Sequence, residues 1–194
     1  MSLDDLDDLY GPCLPLQRGA SEAELGVLSQ SMDVIDDRTG AALKTYMDAA
    51  AILKFPRIFH RTTPILWLID RDGNARIALE EVVNRDTGTL TYILPRNAPT
   101  MRQCDIRLGH PALLKPVNDG EQKSARIAGE IFYDPAENSE LPWVISNNSG
   151  RFGKRPHLHR RHLTEANALF AKYGIMMREF FVIPVPDPVD GDKK

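Results

Sequence analysis

Cysteine is scarce in this 194-residue chain: Cys13 and Cys104 stand far apart and give no disulfide framework, which points to synthesis in a reducing compartment. Long apolar runs are missing as well, none approaching the roughly 18 residues that suggest a membrane span, so no membrane partner is expected. The opening carries Asp4, Asp5, Asp7 and Asp8, the reverse of the positive start of a secretory signal. The expected location is the cytoplasm of the producing cell, with delivery by a secretion system that reads another signal left open. A net charge of −3 is too small to argue for non-specific nucleic-acid binding. Aromatic residues for base stacking are not interleaved with the basic segment, apart from Phe152, so nucleic acid is not an expected partner. There is no internal repeat, no Walker loop, no Rossmann fingerprint and no Gly-x-Ser-x-Gly, and neither cysteine has the setting of a nucleophile.

What is present reads as a single α+β domain. Residues 1–20 are expected to be an acidic and partly disordered N-terminus, residues 21–183 the domain, and residues 184–194, rich in proline and charge, a disordered tail. Ser21 and Glu24 have capping-box spacing, which starts a short helix. A second helix is predicted over residues 40–54, with Leu43, Met47, Ala50 and Ala51 sharing a stripe and Pro56 ending it. The period then shortens. Ile65–Asp70 and Ala75–Leu79 flank Asp72-Gly73, a hairpin signal, and Thr89–Leu94 is expected to pair beside them. Further strands are predicted at Ala125–Tyr133 and Trp143–Ser146. Thr164 is the expected cap of a helix that stops at Gly174, and Met177–Ile183 closes the chain as a strand. The sheet should be mostly antiparallel.

The chemistry-bearing groups concentrate between Arg107 and Arg161. His110, before Pro111, is either a turn histidine bonded to a carbonyl or a base that orients a ligand. Glu130 faces away from Ile127, Gly129 and Ile131, so it meets either water or a cleft, where burial would make it an acid, a base or a stabiliser of positive charge. Gly129 marks a bulge, a close-packing point or a ligand's approach to the backbone. Ser149, Gly150, Arg151, Lys154 and Arg155 have the exposed N–H groups and cations that phosphate or pyrophosphate requires, the alternative being a solvated basic loop. His157, His159 and His162 lack a nearby cysteine or carboxylate partner, and no metal is expected. Asp70–Asn74 imitates a calcium loop without its closing glutamate and is read as a hairpin turn.

The order Trp67–Gly73, His110, Ala128-Gly129-Glu130, Ile145–Gly150 and then a capped helix resembles a domain found in two settings. One is the C-terminal region of bacterial secreted and polymorphic-toxin proteins; the other is the core of plant calmodulin-binding IQ-motif proteins. The resemblance spans about residues 50 to 175. Where the family shows hydroxyl residues and a phenylalanine after its histidine, this chain has Pro111-Ala112-Leu113. Where the family shows Ser-Gly-His-Tyr, it has Ser149-Gly150-Arg151-Phe152. No IQ motif is present, so calmodulin binding is not carried over.

The resemblance implies an enzyme of the bacterial effector or toxin type that acts on a nucleotide or other phosphorylated small molecule. By analogy with ADP-ribosylating folds, the concrete version is NAD cleavage or ADP-ribosyl transfer, with NAD as substrate. Arg57 and Arg151 would bind phosphate, His60 or His110 would orient the ribose or the nucleophile, and Glu130 would stabilise positive charge. The other class is a non-catalytic domain that docks a host or cognate protein. The two differ in one geometric expectation: an enzyme needs Arg57, His110, Glu130 and Arg151 to line one concave site.

Overall fold

The computed structural model describes residues 2–17, 19–96, 101–117, 121–135 and 140–184. Its elements in chain order are α1 (Leu3–Tyr10), β1 (Leu14–Pro15), α2 (Glu22–Gly26), β2 (Asp33–Val34), α3 (Asp37–Ala49) and α4 (Lys54–Thr62). β3 (Ile65–Ile69), β4 (Ala75–Leu79), β5 (Glu81–Asn84), β6 (Leu90–Ile93) and β7 (Asp105–Leu108) follow, then a 3-10 turn at His110–Leu113. β8 (Ser124–Ala125), β9 (Ile127–Tyr133), β10 (Trp143–Ser146), α5 (Arg160–Ala171) and β11 (Arg178–Phe180) complete the fold. The expected α+β class and mostly antiparallel sheet are present. A six-stranded sheet has the order β11-β10-β9-β3-β4-β2, a three-stranded one β6-β5-β7, and β1 pairs with β8. Only β10 and β11 run parallel among the described pairs.

The central strands β3 and β9 are buried on both faces, as their near-continuous apolar sequences require. On one face Ile65, Trp67, Ile69, Ile127 and Ile131 pack with Leu6, Met47, Leu163 and Phe170 from the helices. On the other, Leu66, Leu68 and Ala128 pack against Leu113 of the 3-10 turn and Phe152. The glycine at 129 is set by this arrangement. It lies opposite Trp67 in the β3–β9 ladder, and a Cβ there would stand 1.6 Å from the Ser146 carbonyl oxygen. That same oxygen accepts the Trp67 indole N–H at 3.1 Å. Of the three alternatives for Gly129, close packing is thus the one realised.

Several elements differ from expectation. The acidic opening, expected to be partly disordered, contributes α1. Ser2 and Asp5 form its capping box, Leu6 and Tyr10 are buried, and Asp7 pairs with the buried Arg126. α3 begins at Asp37, because the Asp36 carboxylate accepts the N–H groups of Arg38 and Thr39. Pro56 does not end a helix. It lies in the first turn of α4, where its missing N–H costs no intrahelical bond. β6 does not pair beside the β3–β4 hairpin, since β2 occupies the free edge of β4; instead it joins β5 in the smaller sheet. α5 starts at Arg160, four residues ahead of Thr164, because His162 Nδ1 accepts the His159 N–H at 3.0 Å. The Asp70–Asn74 segment is the expected hairpin turn, with Asp70 accepting the Asp72 and Asn74 N–H groups and Gly73 at φ 85°. Most of the expected C-terminal tail, residues 185–194, lies outside the described residues.

Candidate functional site

Between the two larger sheets lies a cleft of about 590 Å³. One wall comes from the small sheet and carries Glu80, Arg85, Asp105 and Arg107; the other comes from the ends of β9 and β10 and carries Glu130, Asn148 and Ser149–Arg151. Gly109 and His110 also line it, and Ser21 and Glu24 of the α2 region close a third side. The 3-10 turn sits there because Pro111 suits its first turn, and because Lys123 Nζ donates to the carbonyls of Glu24, Pro111 and Leu114 at 2.7, 2.8 and 2.9 Å. One buried cation thereby ties α2 to the turn.

His110 takes the first of its two alternatives, a turn histidine bonded to a backbone carbonyl. Its Nε2–H donates to the Gly129 carbonyl at 2.8 Å, which fixes the tautomer and leaves Nδ1 as the unprotonated nitrogen. Burial pushes its pKa below the ordinary histidine value, against the opposing pull of that carbonyl and of Glu130. The ring is therefore neutral near pH 7, the state a general base requires.

Glu130 lines the cleft with its side chain only 14% exposed. Its Oε2 accepts from Arg96 at 2.5 Å and from Asn148 Nδ2 at 2.9 Å. Among the described residues both hydrogen bonds to this carboxylate are made at Oε2 and none at Oε1. Arg96 in turn stacks over Phe132, with its guanidinium carbon 4.4 Å from the ring centroid.

The cations of the cleft are mostly tethered. Arg151 donates to Glu24 Oε2 at 3.2 Å and to the Gly19 carbonyl, yet the five N–H donors of a guanidinium leave it capacity for an anion. Arg107 donates to Glu80 through Nε at 2.6 Å. Burial raises the Glu80 pKa, which Arg107 opposes. Arg85 is exposed at the rim, with no carboxylate partner among the described residues.

Of the residues singled out in the sequence, His110, Glu130, Ser149, Gly150 and Arg151 come together here. Arg57 and His60 do not. Both lie on α4, away from the cleft lining. His60 is buried, its Nδ1–H donating to the Thr63 carbonyl at 2.8 Å and its Nε2 accepting from Tyr46 Oη at 2.8 Å. Arg155 is also buried, with its guanidinium on the carbonyls of Ala125, Leu14 and Pro15, and it holds the β1–β8 pair together. Lys154 does not line the cleft. The basic segment is thus neither a phosphate loop along its whole length nor a solvated one. Glu24, Glu80, Arg85, Asp105, Arg107 and Asn148 were not singled out as site residues. The one legible trace was the capping box, since the carboxylate that caps Ser21 is the same one that holds Arg151.

Comparison with protein-family models, with curated proteins and with solved structures finds no match for this chain.

Proposed function

We propose that the cleft binds a nucleotide or other phosphorylated small molecule and acts on it, as an enzyme of the bacterial effector or toxin type. The observation that supports this reading is convergence of three of the four residues an enzyme was expected to bring together: His110, Glu130 and Arg151 arise from separate stretches of chain and line one concave site, while Arg57 stands apart on α4. In the concrete version, NAD is the substrate. Arg151, with Arg85 and Arg107 across the cleft, holds the pyrophosphate, and the Glu130 carboxylate faces the ribose. The glycosidic C–N bond breaks with its electron pair leaving on nicotinamide, and Glu130 stabilises the positive charge left on the sugar. A water or an acceptor hydroxyl then forms the new C–O bond while neutral His110 takes its proton. Arg57 and His60 have no part in this step.

The test is nicotinamide release from NAD by the purified chain, followed by proton NMR. Release that is lost in Glu130→Gln and in Arg151→Ala, with both variants folded, is the expected result. Release that persists in Glu130→Gln removes the carboxylate from the mechanism. The second reading, a domain that docks a protein, is favoured by a different observation, the large apolar side chains that α4 presents to solvent.

A further inference from the structure

α4 and the turn before it carry Ile52, Phe55 and Ile58 at 82%, 62% and 68% exposure, with Phe59 beside them. Three large apolar side chains left this open on adjacent turns form an exposed apolar patch of the kind that marks an interaction surface. The helix also carries Lys54, Arg57 and Arg61 and no acidic residue, and none of the three cations has a carboxylate partner among the described residues. Phe59 and Tyr46 lead into an apolar hollow of about 210 Å³, floored by Ile65 and Leu79. Two such faces meeting each other would oppose like charges. The face calls for an acidic segment with an apolar anchor.

The same molecule carries that complement. α1 presents Leu3, 59% exposed, together with the exposed Asp4 and Asp8, which stand one helical turn apart on one side and have no cationic partner among the described residues. We infer that α4 is an interaction surface for a second copy of this chain, with Leu3 of one molecule entering the hollow beside Phe59 of the next and Asp4 and Asp8 meeting Lys54, Arg57 and Arg61. The surfaces are different, so the contact is head-to-tail and a pair of molecules keeps one free α1 face at one end and one free α4 face at the other. It is independent of the cleft and does not require that the cleft be catalytic.

Sedimentation of the full chain tests this at low ionic strength and about 100 μM, a concentration suited to a small and weak contact. The expected result is a weight-average mass that rises with concentration and falls as salt screens the charges. Ile58→Glu and the double variant Leu3→Ser/Asp8→Lys, each checked for an unchanged circular dichroism spectrum, should each be monomeric alone. Mixed in equal amounts they should form a heterodimer and nothing larger, because each retains the half that the other lacks. A wild-type chain that stays monomeric overturns the inference, and so does self-association that survives Leu3→Ser/Asp8→Lys.

Discussion

Among the described glycines, Gly129 is the one where the Cβ added by alanine would meet another atom at the shortest distance. The added Cβ would stand 1.6 Å from the Ser146 carbonyl oxygen, 2.6 Å from its carbon and 2.8 Å from the Asn147 Cα. All three are backbone atoms, so no side chain can rotate away, and β10 must move off β9. That movement strains the Trp67 indole bond to Ser146, made at 3.1 Å. It also pulls on Asn148, which donates to Glu130 at 2.9 Å. Overpacking of a well-filled interior costs about 1–3 kcal/mol, and a clash against fixed backbone belongs at or above the top of that range, about 3 kcal/mol. Urea denaturation of the wild type and Gly129→Ala measures it directly. Gly150→Ala is the control: a Cβ there meets nothing within 4 Å, so its midpoint should stay within about 0.5 kcal/mol of wild type. Equal midpoints for the two variants would refute the account of how β9, β10 and the cleft wall are held.

Acidification should lower the stability of the protein through its buried histidines. His60, His110 and His157 are all shifted below the ordinary histidine pKa by burial, and His162 is pushed down to about 4. The unfolded chain then binds more protons than the folded one, so stability is full above about pH 6.5 and declines as pH falls towards 4. A melting temperature that stays level between those values contradicts this. Lys123→Met would leave three carbonyls without their donor, with an expected loss of about 3 kcal/mol in chemical denaturation; a loss under half of that would mean that α2 and the 3-10 turn hold without it. Asp36→Ala removes the α3 cap and should cost about 1 kcal/mol with ligand binding unaffected, so a change in binding would place α3 in the site.

The strands with strong alternation or unbroken apolar runs were legible in the sequence: Ile65–Ile69, Ala75–Leu79 and Trp143–Ser146 appear as the residues suggest. So was the Ser21–Glu24 box, because a capping box is a local hydrogen-bond pattern. Pro56 misled because proline stops a helix from inside but suits its first turn, and only the tertiary placement of α4 distinguishes the two. β5 was missed because Glu81 reads as polar, yet it is fully buried, where it accepts the N–H groups of Gln30 and Ser31. In the site, Glu130 and Arg151 were findable from strand alternation and a glycine-flanked cation. Arg155 belongs to the same basic segment as Arg151, yet its guanidinium is taken up by the carbonyls of β1 and β8. Which of two neighbouring arginines meets a ligand depends on contacts about 140 residues away in sequence, which no local pattern records.

Titration of the isotopically labelled chain with NAD, followed through its backbone amide resonances, tests the central claim most directly. The account predicts shifts at Gly109, His110, Glu130 and Asn148–Arg151, with Tyr46, Phe59 and His60 unmoved, and the loss of those shifts in Arg151→Ala. Shifts centred on α4, or none at all, would contradict it.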